Sequence, residues 1–325
     1  MRAVWYERNG GSEVLTLGEM SIPGPGPGEV LVRLATSGVN PSDWKTRRGS
    51  TRSMAYPRVV PHSDGAGTVE AVGEGVPSGR VGERVWIWNG QWRRPFGTAA
   101  EFIALPAAQA VRLPEGTSFE EGACLGIPAL TALHALATDG GVTGRRVLVT
   151  GGAGSVGHYA IQFARLMGAA QVIATVSGEA KASHARGAGA DAAVNYRTED
   201  VPARVMELTG GRGVDRVVEV DLAGNGPMLH RLCAYGAVVA GYGSNTQEAV
   251  FPFSPTIMKG IAVRFFIVYE LDEAQRAAVV GALQAWLGAG LVRHAVAARM
   301  PLAECAAAHD AVERGTQIGN VVLAC

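Results

Sequence analysis

A glycine cluster stands between an apolar strand and an amphipathic helix at residues 146–167, RVLVTGGAGSVGHYAIQFARLM, and it restricts this chain to few folds. The strand RVLVT runs straight into GGAGSVG, where Gly152, Gly154 and Gly157 satisfy GxGxxG. Beyond it, Val156, Ala160, Ala164 and Met167 recur at helical spacing. Each glycine has a steric role: Gly152 permits a tight turn, Gly154 lets backbone approach a pyrophosphate, and Gly157 lets the helix pack closely. Oriented N–H groups around Ala153, Ser155 and Val156, at the helix N-terminus, suit an anion. No GK[ST] follows, so a P-loop is excluded. With 44 glycines in 325 residues the cluster alone would be weak evidence; its context gives it weight.

That context is a series of βα units. After the glycine helix come QVIATV (171–176) with a helix over 180–186, AAVNY with a helix from about 201, VDRVVEV with a helix over 227–235, and AVVAGYG. Continuous apolar strands with helical crossovers predict a parallel sheet covered on both faces. Residues up to about 120 differ, with short β-branched runs punctuated by Gly and Pro at 29–39, 67–76, 84–88 and 100–106. Ser118 and Glu121 form a capping box ahead of an apolar helical stretch to about 137. Past the run 261–269, a helix over 272–289, a strand, another helix and a strand over 320–324 are expected.

Composition narrows the partners. Lys and Arg number 29 and Asp and Glu 29, so net charge is zero and the electrostatic term for nucleic acid or anionic membrane is missing. The four cysteines, Cys124, Cys233, Cys305 and Cys325, lack CxxC spacing, and the seven histidines show no HxxxH or HExxH. No stretch reaches the roughly 18 apolar residues of a membrane span, and charges at Arg2, Glu7 and Arg8 interrupt any signal-peptide core. A cytoplasmic protein with a small-molecule partner is expected.

The second strand of a dinucleotide fold decides which nucleotide binds. NAD binders place a carboxylate near its end; here Ala174, Thr175, Val176 and Ser177 carry none, and Lys181 follows, with Tyr196 and Arg197 after the third strand. Small polar and basic groups suit a 2′-phosphate, so NADPH is the expected cofactor, each charge-assisted bond contributing about 1.5 to 3 kcal/mol. Glu179 nearby works against this, and a solvated helix lysine is the plainer reading of Lys181.

Several further segments, EVLVRLATSGVNPSD (29–43), HSDGAGTVEAVGEG (62–75), GERVW (82–86), ACLGIPALTA (123–132), the glycine turn with Gln162, and GNVVL (319–323), resemble the medium-chain dehydrogenase/reductase superfamily, with the closest look to its zeta-crystallin-type quinone oxidoreductases. The resemblance implies an α/β fold: a GroES-like β-rich catalytic domain (1–120 and 265–325) plus a Rossmann doubly wound parallel-sheet domain (121–264). It also implies a homodimer joined near 261–269, where a buried core strand would read the same. Zinc-dependent members carry cysteine where this chain has Asn40, and histidine with an acidic residue where it has Ser63 and Asp64, so no metal is expected in catalysis. His62 reads as a loop or core histidine rather than a ligand.

Without a Lewis acid, reduction of an electron-poor acceptor is easier than alcohol oxidation. The implied activity is NADPH-dependent reduction of a quinone, with a 2-alkenal or enone double bond as the alternative acceptor. By position in the resembling motif, Asn40 and Asp43 line the nicotinamide end of the site, Asn40 as a donor and Asp43 orienting its neighbours. Related quinone reductases often have tyrosines at the positions of Lys45 and Thr51; Lys45 is either a cationic donor to the nascent oxyanion or a surface lysine. Thr131 and Gly241, Tyr242, Gly243 and Ser244 correspond to positions near the nicotinamide, and Ser177, Lys181, Tyr196 and Arg314 to those around the adenosine phosphate. Ordinary turn or capping chemistry is the alternative for each. A short-chain dehydrogenase is excluded because no tyrosine has lysine four residues later. RNA binding, known among zeta-crystallin-like proteins, is disfavoured at zero net charge without a basic-aromatic run.

Overall fold

The β-branched runs near the start of the chain become strands in a computed structural model that describes residues 1–50 and 53–325. Strand β1 (Arg2–Trp5) pairs antiparallel with β2 (Thr16–Glu19). The long β3 (Glu29–Val39) is followed by helix α1 (Pro41–Arg48), β4 (Asp64–Val72), β5 (Arg84–Ile87), β6 (Phe102–Pro106) and β7 (Ala110–Arg112). β3 is the spine of a seven-stranded sheet, antiparallel to both β4 and β6. Val30, Val32 and Leu34 bury against Val69, Val85, Ile87, Ile103 and Leu105 in one core. Two register shifts against β4 bend β3, as bulges do.

The capping box forms at α2 (Phe119–Gly122): Glu121 N donates to Ser118 Oγ, and Ser118 N donates to the Glu121 carboxylate. The single helix expected to run on to 137 is interrupted. Pro128 has no N–H for the ladder, so Leu125–Ala129 widens into a π-type turn before α3 (Leu130–Ala137) resumes.

The βα series follows as β8 (Arg146–Val149), α4 (Ser155–Leu166), β9 (Gln171–Val176), α5 (Glu179–Ala188), β10 (Ala192–Asn195), α6 (Val201–Leu208), β11 (Val214–Glu219), α7 (Leu222–Leu232), β12 (Cys233–Gly241), α8 (Phe253–Met258), β13 (Ala262–Phe265) and α9 (Glu273–Gly288). The strands form one parallel sheet in the order β10-β9-β8-β11-β12-β13, which reverses direction between β8 and β11. Helix α7 starts and stops earlier than the expected 227–235, because the Asp221 carboxylate caps it and Cys233 already belongs to β12. Of the run 261–269 only four residues are strand, and that strand is an edge with Phe265 69% exposed.

The chain then returns to the first sheet through β14 (Val296–Pro301), α10 (Cys305–Arg314) and β15 (Asn320–Ala324), with β15 antiparallel to β3 and parallel to β14. Two units result, Met1–Ile127 with Leu287–Cys325, and Pro128–Trp286. The second division falls later than the 264/265 drawn from sequence. β13 is hydrogen-bonded to β12, and Trp286 of α9 packs its ring on Phe163 of α4, so both elements stay with the parallel sheet.

Arg216, buried on β11, donates to the carbonyls of Ala135 (2.5 Å) and Thr138 (2.6 Å) and so closes the C-terminal end of α3. Arg216→Met keeps most of the volume but leaves both carbonyls unpaired. It should lower unfolding stability by about 2 to 4 kcal/mol in urea titrations; a change under about 0.5 kcal/mol would contradict this role.

Candidate active site

In the parallel-sheet unit the glycine turn sits at the C-terminal end of β8, beside the point where strand order reverses, the usual ligand crevice of such sheets. Gly151 has φ +65°, so the left-handed residue of the turn is Gly151, next to the Gly152 to which the motif gives the tight turn. Gly152 has a different constraint: its N–H donates to Thr175 O at 2.9 Å, and a Cβ would lie 2.7 Å from the Ala174 Cβ. A Cβ at Gly157 would stand 2.3 Å from the Gly151 carbonyl oxygen. The first turn of α4 therefore lies directly on the turn, with Gly154, Ser155 and Val156 accessible at its N-terminus and Ala153 and Gly157 buried. The helix dipole and N–H groups there suit a pyrophosphate.

Around the crevice, Ser177 follows β9, Lys181 lies in the first turn of α5, and Tyr196 follows β10 with its N–H on the Val176 carbonyl (3.0 Å). All three share one edge of the sheet, and Tyr196 is exposed. Glu179 pairs with Arg186 on its own helix. On the other side of the reversal a pocket of about 660 Å³ is lined by Leu222, Gly241, Tyr242, Gly243, Ser244 and Phe266, which brings the predicted GYGS segment to a cavity. Thr131 is buried on α3. Arg314 is exposed at the end of α10, in the other unit.

Glu219 was missed from sequence. It is fully buried at the end of β11, and its Oε1 accepts from Thr150 Oγ1 (3.0 Å), Asp221 N (2.6 Å) and Asn225 Nδ2 (2.9 Å). Oε2 has no protein partner, and burial pushes the carboxyl up from its ordinary range. It ties the residue before the glycine turn to the floor of the crevice. An acidic residue ending the fourth strand of the unit was the available signal.

In the N-terminal unit, Asn40 caps α1 and its backbone N–H donates to Asp43 Oδ2 at 2.7 Å, so Asp43 orients the start of the helix. The Asn40 amide donates to Asp64 Oδ2 at 2.8 Å, and Ile127 N donates to both oxygens of the same carboxylate at 2.9 Å. Asp64 is thus the hub of this site, and Gly126 makes room for it: a Cβ there would stand 2.2 Å from Asp64 Oδ1. Lys45 is half-buried on α1, its Nζ 5.7 Å from the centre of the Trp44 ring. Thr51 lies outside the described residues. Asn320 is buried, and its amide and backbone N–H both donate to Ala295 O, which holds β15 in place.

Residues 26–115 match the family described as the alcohol dehydrogenase GroES-like domain, and residues 155–284 the family described as zinc-binding dehydrogenase. The chain is 31% identical to quinone oxidoreductase of Sus scrofa over 99% of its own length and 97% of the relative's. Among solved structures it is similar to an NAD-dependent alcohol dehydrogenase (TM-score 0.91, 31% identity, 100% of both chains). It is also similar to the quinone oxidoreductase of Thermus thermophilus, solved alone and in complex with NADPH (TM-score 0.86, 30% identity, 100% of both chains).

The zinc in that second family name does not fit the residues here. At the ligand positions stand a carboxamide, a hydroxyl and a carboxylate, and the Asn40 amide points its hydrogens, not a lone pair, at Asp64. Among the described residues the one group of three metal-ligating side chains is His62, Cys305 and His309, and it does not include them.

Burial pushes the Asp64 carboxyl up to about 7, partly offset by its bonds to Ile127 and Asn40. The folded state therefore holds this proton more tightly than the unfolded chain does. The stability it lends is complete below about pH 4 and is lost as pH rises through about 7. Buried His62 and His309, held below their ordinary value by desolvation, act in the opposite sense, so the parent's own profile mixes the two. Asp64→Asn isolates the carboxyl: its stability relative to the parent should grow between about pH 4 and pH 7, by on the order of a few kcal/mol in a urea series. A difference that stays flat would contradict the assignment.

Proposed function

The chain belongs to the medium-chain dehydrogenase/reductase superfamily, and we propose that this member is a zinc-independent, NADPH-dependent reductase passing hydride to a quinone or similar electron-poor carbonyl acceptor. The observation that carries the reading is the glycine turn at the strand-order reversal, two of whose positions have no room for a Cβ. It fits a dinucleotide, which when bound supplies the hydride.

In this reading Gly152 to Gly157 hold the pyrophosphate. Ser177, Lys181 and Tyr196, on an edge whose second strand ends without a carboxylate, hold the 2′-phosphate. Thr131 and Gly241 to Ser244 shape the nicotinamide end, with Glu219 fixing the crevice floor. Units 1–127 with 287–325, and 128–286, take the roles of catalytic and nucleotide-binding domains. Asn40 spends one amide hydrogen on Asp64 and retains a second for an acceptor oxygen, and Asp43 keeps it in position. Lys45 on the same helix supplies a cationic donor for the developing oxyanion, and water then delivers the proton.

The edge strand β13 supports a homodimer: Phe265 and Ile267 are exposed there, and Phe253 and Met258 nearby are 76% and 75% exposed. A second copy pairing edge to edge would cover them. Four free cysteines fit a reducing cytoplasm, and no described helix is long and apolar enough to cross a membrane.

The test is steady-state oxidation of NADPH and NADH against a simple quinone, a conjugated enone and no acceptor. Quinone-dependent turnover with NADPH preferred at least about tenfold is expected. Lys181→Ala should raise KM for NADPH by roughly ten- to hundredfold while sparing NADH. Equal effects on the two nucleotides would remove the 2′-phosphate assignment, and turnover confined to the enone would move the acceptor class.

A further inference from the structure

Helix α10 carries a feature that the reductase reading leaves unused. Cys305 and His309 are one helical turn apart, at i and i+4, on its buried face. His62, on the loop before β4, meets them from the opposite side. His62 Nε2 lies 2.9 Å from His309 Nε2 and 3.9 Å from Cys305 Sγ, and the three donor atoms all fall within 4.8 Å of one another. All three residues are at most 1% exposed.

Two observations set this cluster apart from ordinary core packing. His62 has φ +76°, a left-handed backbone that a side chain with a Cβ rarely adopts, and it serves here to aim the ring inward. Its other nitrogen, Nδ1, lies 2.8 Å from Ser37 Oγ, which in turn lies 2.8 Å from Thr98 Oγ1, and Thr98 Oγ1 donates to the Asp64 carbonyl. With Thr98 committed to that carbonyl, Ser37 can donate to Thr98 and accept from His62 Nδ1–H, leaving a lone pair on His62 Nε2 that points into the cluster. Metal-binding histidines are commonly oriented this way.

We propose that His62, Cys305 and His309 form a buried site for a monovalent thiophilic cation, copper(I), that clamps α10 to the loop before β4. The donor set decides the ion. Two imidazole nitrogens and one thiolate without a carboxylate favour a soft d¹⁰ ion. Zinc closes its structural sites with four ligands, and only three donors converge among the described residues. Charge points the same way. Copper(I), one thiolate and two neutral imidazoles make a neutral complex, whereas a divalent ion would leave a net positive charge away from water. Among the groups that act on Cys305, which also include the Cys325 thiol, the buried Asp43 and Arg47 carry opposite charges.

The geometry needs little adjustment. Trigonal bonds of about 2.0 Å to nitrogen and about 2.3 Å to sulfur separate the donors by about 3.5 Å (N to N) and about 3.7 Å (N to S). The observed 2.9 and 3.9 Å differ from these by about 0.6 and about 0.2 Å, and the His309 donor lies within 4.8 Å of Cys305 Sγ. On binding, the cation displaces the proton between the two Nε2 atoms, which stays on His309 as the Nδ1 tautomer. The Cys305 thiol proton leaves to solvent as the S–Cu bond forms, and no electron is transferred.

The experiment is an anaerobic competition of the full-length protein against the coloured copper(I)–bicinchoninate complex, with zinc and a zinc chelator run in parallel. One equivalent of copper(I) per chain is expected, with the thermal midpoint rising by several degrees. Cys305→Ser and His309→Gln should each weaken retention at least about tenfold, while Cys124→Ser, at a buried thiol outside the cluster, should not. X-ray absorption of the loaded parent, which needs no variant, should give one sulfur and two nitrogen neighbours. No retention, retention unchanged by Cys305→Ser and His309→Gln, or zinc held as tightly as copper(I) would each overturn the proposal.

Discussion

The parallel-sheet unit of this molecule depends on one contact, the start of α4 lying against the Gly151 carbonyl with no room for a Cβ at Gly157. That approach forces a left-handed Gly151 and a Gly152 seated against Ala174 of β9, so three neighbouring glycines answer one steric demand. It also brings the helix N-terminus over the end of β8, where Thr150 and Glu219 brace the turn from β11. A crevice shaped by backbone in this way is rigid before any ligand arrives, so less ordering cost attends binding.

The other unit has its own hub in Asp64. Its carboxylate gathers the Asn40 amide and the Ile127 N–H, its carbonyl accepts from Thr98, and through Ser37 the same chain reaches His62 and α10. The return of the chain through β15 is what allows this, since α10 reaches the N-terminal sheet only because β15 pairs with β3. Sequence-distant segments thus share one buried polar network, in which every member constrains the others.

Periodicity and turn chemistry revealed much of this. β3, β9 and β15 occupy the residues expected of them because each is bounded by glycine, proline or polar residues. The break at Pro128 was visible as a proline but was read through, since the flanking residues keep an apolar helical pattern. The early start of α7 was hidden because Asp221 caps it only once β12 has fixed the Gly243 carbonyl nearby. In the site, the glycines were legible from spacing, but which of them is left-handed was not, since φ depends on how the turn meets β9. Asp64, Glu219 and the Cys305–His309 pair were not singled out. Their significance lies in burial and in partners far along the chain, which a single sequence does not display, although the CxxxH spacing on a helix was there to be found.

The most direct measurement is the equilibrium affinity for NADPH of the parent and of Gly157→Ala, with circular dichroism to verify that both are folded. A Cβ at that position must push α4 off the turn, so the substitution should weaken binding at least about tenfold while secondary structure is retained. A folded Gly157→Ala protein that binds NADPH as tightly as the parent would contradict the account.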